Sequence, residues 1–204
     1  RQEVLKLKDS SDLTVMYMFG TSLINEEGHL NVDSNYDITG FKTELTNKSM
    51  ARMVWGSCQQ NCFDISTWLR IIDTEASVLA TQEETGDVVI ASKSNSNNFT
   101  EIFCASPWLD RTILRNIYKI ANVHIYHENS DLFFMGKGIL CVYSRKKGHK
   151  KVYFPEKQKY VINLIDQSYL INCSSICLEQ TEQVERFLFY AGDDEVLAEK
   201  VRNL

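Results

Sequence analysis

The stretch PWLDRTILRNIYKIANVHIYHENSDLFFMGKGILCVY, Pro107 to Tyr143, decides how the chain is read. Leu109, Ile113, Leu114, Ile117 and Ile120 recur at helical spacing, and Asp110, Arg111, Arg115 and Lys119 take the outer positions, which predicts a helix laid against a sheet. Pro107 stands at the helix entrance, where a missing N–H costs little. Val123 to Tyr126 then predicts a short buried strand, and Glu128 to Asp131 a polar turn outside the core. Two more apolar runs, Leu132 to Met135 and Ile139 to Tyr143, are separated by Gly136-Lys137-Gly138. A helix feeding strands in this way predicts an α/β domain.

Working outward, Leu13 to Phe19 predicts a buried strand closed by Gly20, and Asp33 or Ser34 a cap for a short helix ending at Gly40. Phe41 to Thr46 and Met50 to Trp55 alternate as strands with one wet face. Ser57 to Asp64 is polar and carries Cys58 and Cys62, and Trp68 to Ile72 is apolar again. Ala76 to Thr81 and Val88 to Lys93 flank a turn and predict a hairpin, and Phe99 to Cys104 a strand leading into Pro107. Beyond Tyr143, Lys151 to Phe154 and Val161 to Leu164 predict short strands around Pro155. Tyr169 to Leu178 and Val184 to Tyr190 predict two more, followed by a terminal helix from Asp193. Glu3 to Lys8 predicts the tail of a first helix.

The 204 residues, 44% hydrophobic and 24% charged, suffice for one globular domain with a real core, or one domain and an incomplete neighbour. The net charge of −5 argues against nucleic acid, whose phosphates need a basic face. The local exception is Arg145-Lys146-Lys147-Gly148-His149-Lys150-Lys151, which predicts a solvated hairpin tip, with an anionic partner as the alternative. No apolar run approaches the roughly 20 residues that span a bilayer, so no membrane partner is expected. The chain begins at Arg1 rather than methionine, so a missing secretion signal leaves the compartment open.

Several motifs, in order, resemble one known family. Thr112 to Ile117, then Asn122-Val123-His124-Ile125-Tyr126, then the acidic turn ending at Asp131, resemble the pattern LLRxIAxxAGVHIYxDxxD. That pattern belongs to the C-terminal α/β domain of β-galactosidase-type glycoside hydrolases and their uncharacterised relatives. Leu13 to Gly20, Asn35 to Gly40, Asp73 to Ala80, Gly86 to Ala91 and Tyr153-Phe154-Pro155 resemble further pieces of that domain, so the likeness runs from Leu13 to Asp166. Asn122 stands where a Gly is usual, and Tyr143 where a His is frequent. The resemblance implies a flavodoxin-like sheet with helices, related to class I amidotransferases, over residues 1–166, incomplete at its N-terminus. Residues 167–204 then form a strand-rich extension with the terminal helix. In that family the domain helps to build trimers and performs no chemistry.

The residues carry little sign of chemistry by themselves. Glycoside hydrolysis needs two carboxylates across a sugar site, and the family's (β/α)₈ barrel of about 250 residues exceeds this chain. Asp110, Glu128 and Asp131 read as helix-terminal and turn charges. An amidotransferase nucleophile needs a Cys on a tight turn between glycines with a His partner; Cys58 follows Gly56 but lacks the second Gly, and His124 reads as a strand imidazole. Cys58-x₃-Cys62 and Cys173-x₃-Cys177 match only loosely the spacing of a four-thiolate zinc site; free thiols or a disulfide are the alternatives. Trp55, Trp68, Trp108 and the pair Tyr17 and Phe19 are aromatic platforms or core.

The expectation is therefore a non-catalytic accessory or oligomerisation domain, a trimer or dimer or the partner of an upstream catalytic domain, from a β-galactosidase-like glycoside hydrolase. The alternative is a stand-alone carbohydrate- or small-ligand-binding module. Candidate ligand-binding residues are Trp108, Asp110, Arg111, His124 and Asp131, with no catalytic residue and no cofactor expected.

Overall fold

The structure, a computed structural model, describes residues 6, 12–24, 27–65 and 67–202, and the side chains of 63–65 are not described. The helix expected over Glu3 to Lys8 lies, apart from residue 6, outside the described residues. The chain forms two compact units, 1–123 and 124–204. Residue 166, where the resemblance ends, lies in the turn between two paired strands of the second unit.

The first unit holds eight strands: β1 (Thr14–Met18), β2 (Thr43–Thr46), β3 (Met50–Trp55), β4 (Cys58–Ile65), β5 (Trp68–Ile71), β6 (Ser77–Gln82), β7 (Val88–Ser94) and β8 (Thr100–Cys104). Its helices are α1 (Val32–Thr39) and α2 (Arg111–Ile120). The strands run β1-β8-β7-β6-β3-β4, with β5 paired to both β7 and β2. Only β1 and β8 are parallel, in the register Thr14 opposite Thr100 to Met18 opposite Cys104. Every other pairing is antiparallel. A flavodoxin-like sheet is built from parallel strands joined by helical crossovers. The mixed, mostly antiparallel sheet found here meets the α/β expectation only in containing helices beside a sheet with one parallel pair.

Helix α2 forms as its pattern predicts. The Asp110 carboxylate accepts hydrogen bonds from the backbone of Thr112 (2.8 Å) and Ile113 (2.9 Å), and Ile113 and Ile117 are buried in the core. Helix α1 is capped by Asn31, not by Asp33 or Ser34: those two residues donate their N–H groups to the Asn31 side chain, at 2.9 and 3.2 Å. Gly40 ends it at φ 72°, the left-handed geometry that favours glycine. The core gathers Phe41, Met50, Met53, Trp68, Leu69, Ile90, Ile102 and Phe103, all fully buried, and Trp68 Nε1 donates to the Lys48 carbonyl at 2.8 Å.

The polar run from Ser57, for which the sequence suggested no element, is a strand: Gly56, at φ 57°, turns β3 directly into β4, and Trp55 pairs with Cys58. The strand expected over Val123 to Tyr126 does not form; the run is irregular, and Val123 is half exposed. Asn122, where the resembled pattern has glycine, adopts φ 52°, a conformation asparagine tolerates better than most residues.

The second unit is an antiparallel sheet of β9 (Leu132–Gly136), β10 (Ile139–Ser144), β11 (Gly148–Asn163), β12 (Tyr169–Gln180) and β13 (Glu185–Gly192), in the order β12-β11-β13-β10-β9. Helix α3 (Glu195–Arg202) follows and buries Ala198 beside Ile162 and Tyr190. The two short strands expected around Pro155 are one strand, β11, because the register with β12 slips between Tyr153 and Gln158 and so accommodates a proline that cannot donate to the ladder. Leu140, Val142, Val152, Phe154, Phe187 and Phe189 are central to its core.

Trp68→Ala is expected to cost about 3–5 kcal/mol, the usual range for deleting a fully buried aromatic side chain. Urea unfolding followed by tryptophan fluorescence checks this, and since Trp55, Trp68 and Trp108 all lie in 1–123, the signal follows the first unit alone.

Candidate functional site

The candidate residues fall into two sets. Trp108, Asp110 and Arg111 belong to the first unit, His124 and Asp131 to the second, and each set is built differently.

In the first unit the segment before α2 is held by Gln60 of β4. Its amide nitrogen donates to the Trp108 carbonyl (2.9 Å) and its amide oxygen accepts from Asp110 N–H (2.7 Å), so one buried side chain closes two backbone groups. Ser106 Oγ adds a 2.7 Å bond to the same carbonyl. The Asp110 carboxylate is occupied as the helix cap. Trp108 is 51% exposed and Arg111 is exposed, whereas Trp68 and Tyr17 are buried and Trp55 and Phe19 pack against the core. Of the aromatic platforms expected, Trp108 is the one that faces solvent.

In the second unit Asp131 partners His127 and not His124. Its Oδ2 lies 2.9 Å from His127 Nε2 and 3.1 Å from Lys150 Nζ, and its Oδ1 accepts from Ser144 Oγ at 2.6 Å. The Asp131, His127 and Lys150 side chains are at most 5% exposed. His127 Nδ1 lies 3.0 Å from the Lys151 carbonyl, so each ring nitrogen has an oxygen within hydrogen-bond distance. Burial pushes the Asp131 carboxyl up, but the hydrogen bonds from Ser144, His127 and Lys150 and the Lys150 charge outweigh it and hold it below the usual range. His124 is exposed, with Nε2 3.0 Å from the Tyr153 carbonyl.

Sequence reasoning missed Lys150 and His127. The signals were present: Lys150, Val152 and Phe154 alternate inward along β11, and His127 and Asp131 are four residues apart. The basic run is therefore not a wholly solvated tip, since Lys150 is buried within it.

The thiols do not assemble. On an extended strand residues i and i+4 stand ~13 Å apart, whereas two thiolates on one zinc ion each lie about 2.3 Å from it. Cys58 and Cys62 share β4, and Cys173 and Cys177 share β12. Among the described residues no group of three or more His, Cys, Asp or Glu is placed to hold a metal ion, and all six cysteines are free. Cys58 sits on a strand after a strand-to-strand turn, not on the strand-to-helix elbow that a nucleophile requires.

The second unit also contains a cleft of 640 Å³ bordered by β11, β12 and β13. Ile176, Leu178, Phe187 and Phe189 contribute apolar walls, and Asp166, Glu179, Glu182 and Glu185 carboxylates line it. Its size is within the range of small-ligand sites, which are mostly apolar, whereas this one carries four carboxylates.

Solved structures share this fold, among them two β-galactosidases. The chain aligns over 87% of its length with a β-galactosidase from Bacillus circulans sp. alkalophilus, at 12% identity and TM-score 0.54. It aligns over 95% with the polyextremophilic β-galactosidase of the Antarctic haloarchaeon Halorubrum lacusprofundi, at 10% identity and TM-score 0.56. The likeness is one of fold. The chain spans less than a third of each of those proteins, 29% and 30%. No protein-family model matches the sequence, and no curated protein matches it.

Two outcomes follow from this geometry. A carboxyl held down when folded contributes stability above its unfolded pKa and loses it as pH falls through the lower folded value. Asp131→Asn should therefore cost about 3–5 kcal/mol near pH 7, as expected for a buried charge network losing one member, and much less at pH 3; urea melts at the two pH values test this. With a thiol-specific disulfide reagent, exposed Cys177 should react first and Cys104 last, because burial pushes the Cys104 thiol up to about 12.

Proposed function

We propose that this chain is a non-catalytic accessory and oligomerisation part of a β-galactosidase-like glycoside hydrolase. The observation that carries the reading is the shared fold across 87–95% of the chain with under a third of each β-galactosidase. Within that reading, the parallel β1–β8 pair followed by α2 supports a flavodoxin-like, class I amidotransferase-like origin for the first unit.

The carboxyls give a second line of support. Asp73, Asp87, Asp131 and Asp166 are all held below their ordinary range, the direction opposite to that of a general acid working near neutral pH. A homo-oligomeric role, as dimer or trimer, is supported by β12. This strand pairs only with β11, so its outer edge is unpaired among the described residues, and consecutive Tyr169, Leu170 and Ile171 are each at least half exposed. Such an edge is a template for pairing with another chain.

The 640 Å³ cleft favours the second reading, a saccharide- or small-ligand-binding module. Three measurements separate the readings. The purified chain should show no turnover of a nitrophenyl β-galactoside; turnover would end the non-catalytic reading. Light scattering after size exclusion should give a dimer or trimer that Ile171→Lys converts to monomer. A monomer at every concentration that binds galactose calorimetrically would instead establish the binding module.

A further inference from the structure

The cleft of the second unit is bounded by strand edges as well as by side chains. Successive side chains on a strand point to opposite faces, yet consecutive residues of β12, 176–179, and of β13, 185–187, line it. A cavity that touches residues in succession runs beside the backbone. On β12 one edge is held by β11 from Ser175 to Gln180, so the cleft follows the other, which pairs with no strand among the described residues. On β13 the side facing β10 is taken from Glu185 onwards. The opposite side meets β11 from Phe189 onwards, and before that the Leu188 carbonyl accepts from Leu164 N–H at 2.8 Å. Backbone groups alternate between the two sides of a strand, so those of Arg186 point the same way as those of Leu188, past the end of β11 and towards the cleft.

Between these two open edges the lining is divided by chemistry. Val161, Ile176, Leu178, Phe187 and Phe189 form an apolar floor, each at most 9% exposed. Around it stand Asp166, Glu179, Glu182 and Glu185, against a single cation, Arg186. The Asp166 carboxylate accepts from Ser168 and that of Glu185 from Thr181 N–H, whereas Glu179 and Glu182 are exposed and their carboxylates engage no donor among the described residues. A strand laid in such a gap would hydrogen-bond through its main chain to the edges beside it. Its alternate side chains would fall on the floor, and the remainder would stand among the carboxylates, where charge complementarity calls for cations.

We propose that the cleft receives an extended peptide segment in which apolar and basic residues alternate, added as a strand between β12 and β13. Its 640 Å³ admits a few residues of such a segment and not a folded domain. The inference concerns the same cleft as the small-ligand reading and replaces its ligand. It rests on neither the oligomeric nor the non-catalytic role.

Fluorescence anisotropy of the full chain with a labelled hexapeptide of alternating lysine and valine tests it. Binding should saturate at low salt and weaken as salt is added. The same peptide with glutamate for lysine, or with serine for valine, should not bind. Methylating alternate backbone nitrogens should weaken binding by about tenfold or more, because it removes main-chain hydrogen bonds and leaves the charge unchanged. Glu179→Gln and Glu182→Gln should each weaken it by roughly two- to fivefold, the effect of an exposed ion pair. Both residues are exposed, so circular dichroism of these variants should match that of the parent. No saturable binding of the lysine–valine peptide, equal binding of the glutamate peptide, or indifference to backbone methylation would overturn the proposal. Calorimetric binding of galactose without peptide binding would uphold the small-ligand reading and overturn this one. An oligomer that Glu179→Lys dissociates, with no peptide binding, would make a second copy the occupant and overturn it as well.

Discussion

Strand β7 is the constraint on which the first unit depends. Its one edge is taken by β6, while the other is divided between β5, at Val88, and β8, from Ile90 to Ser94. No strand can serve three neighbours unless two of them share an edge in succession, so the sheet must split where β8 leaves β7 and β5 takes over. Val89, Ile90 and Ala91 lie at that point and are fully buried, and the ladder with β6 is irregular there, shifting register between Val78 and Ala80 and again between Ala80 and Thr81. The split is also tied by charge. Asp87, just before β7, accepts from Arg70 of β5 (3.0 Å) and Lys48 (3.4 Å), and Arg70 holds Glu44 of β2 at 2.7 Å. Asp73, just after β5, pairs with Lys93 of β7 at 2.7 Å. Both ends of the branch are thus pinned by a partly buried carboxylate.

The second unit has an analogous knot of different composition. Asp131 brings together the start of β9, the end of β10 through Ser144, and β11 through Lys150. Removing any member leaves a charge in a dry site, so the cluster specifies which strands meet more than it adds net stability. Gln180 of β12 joins it through the Ser144 carbonyl at 3.3 Å, extending the same polar connection to the edge strand. A set of hydrogen bonds therefore spans four of the five strands beside an apolar core.

The legibility of each element in the sequence follows from where its decisive contacts lie. Helix α2 was legible because its signal is local: a capping Asp110 and apolar residues at helical spacing. Strand β4 was not, because Gln59, Gln60 and Asn61 resemble a loop, and only the distant segment 108–110 explains why Gln60 is buried. His124 was favoured over His127 because Val123 to Tyr126 reads as a strand, yet its turn at Asn122 leaves that run irregular and passes the buried role to the next histidine. Lys150 was hidden by its five basic neighbours, although its alternation with Val152 and Phe154 marked it as inward. The flavodoxin-like reading came with the family resemblance; the mostly antiparallel sheet depends on pairings, which a single sequence does not display.

The same geometry bears on what the chain does. A carboxyl that serves as a general acid near neutral pH keeps its proton by burial away from cations, or by lying against another carboxyl. Here the buried carboxylates face Lys93, Arg70, Lys150 and His127, and each is engaged in holding strands together. Its buried charge is thus already committed to architecture. The carboxylates that line the cleft and the outer edge of β12 lie outside that set. The charges that hold the strands together are thus distinct from the polar groups that the surface presents.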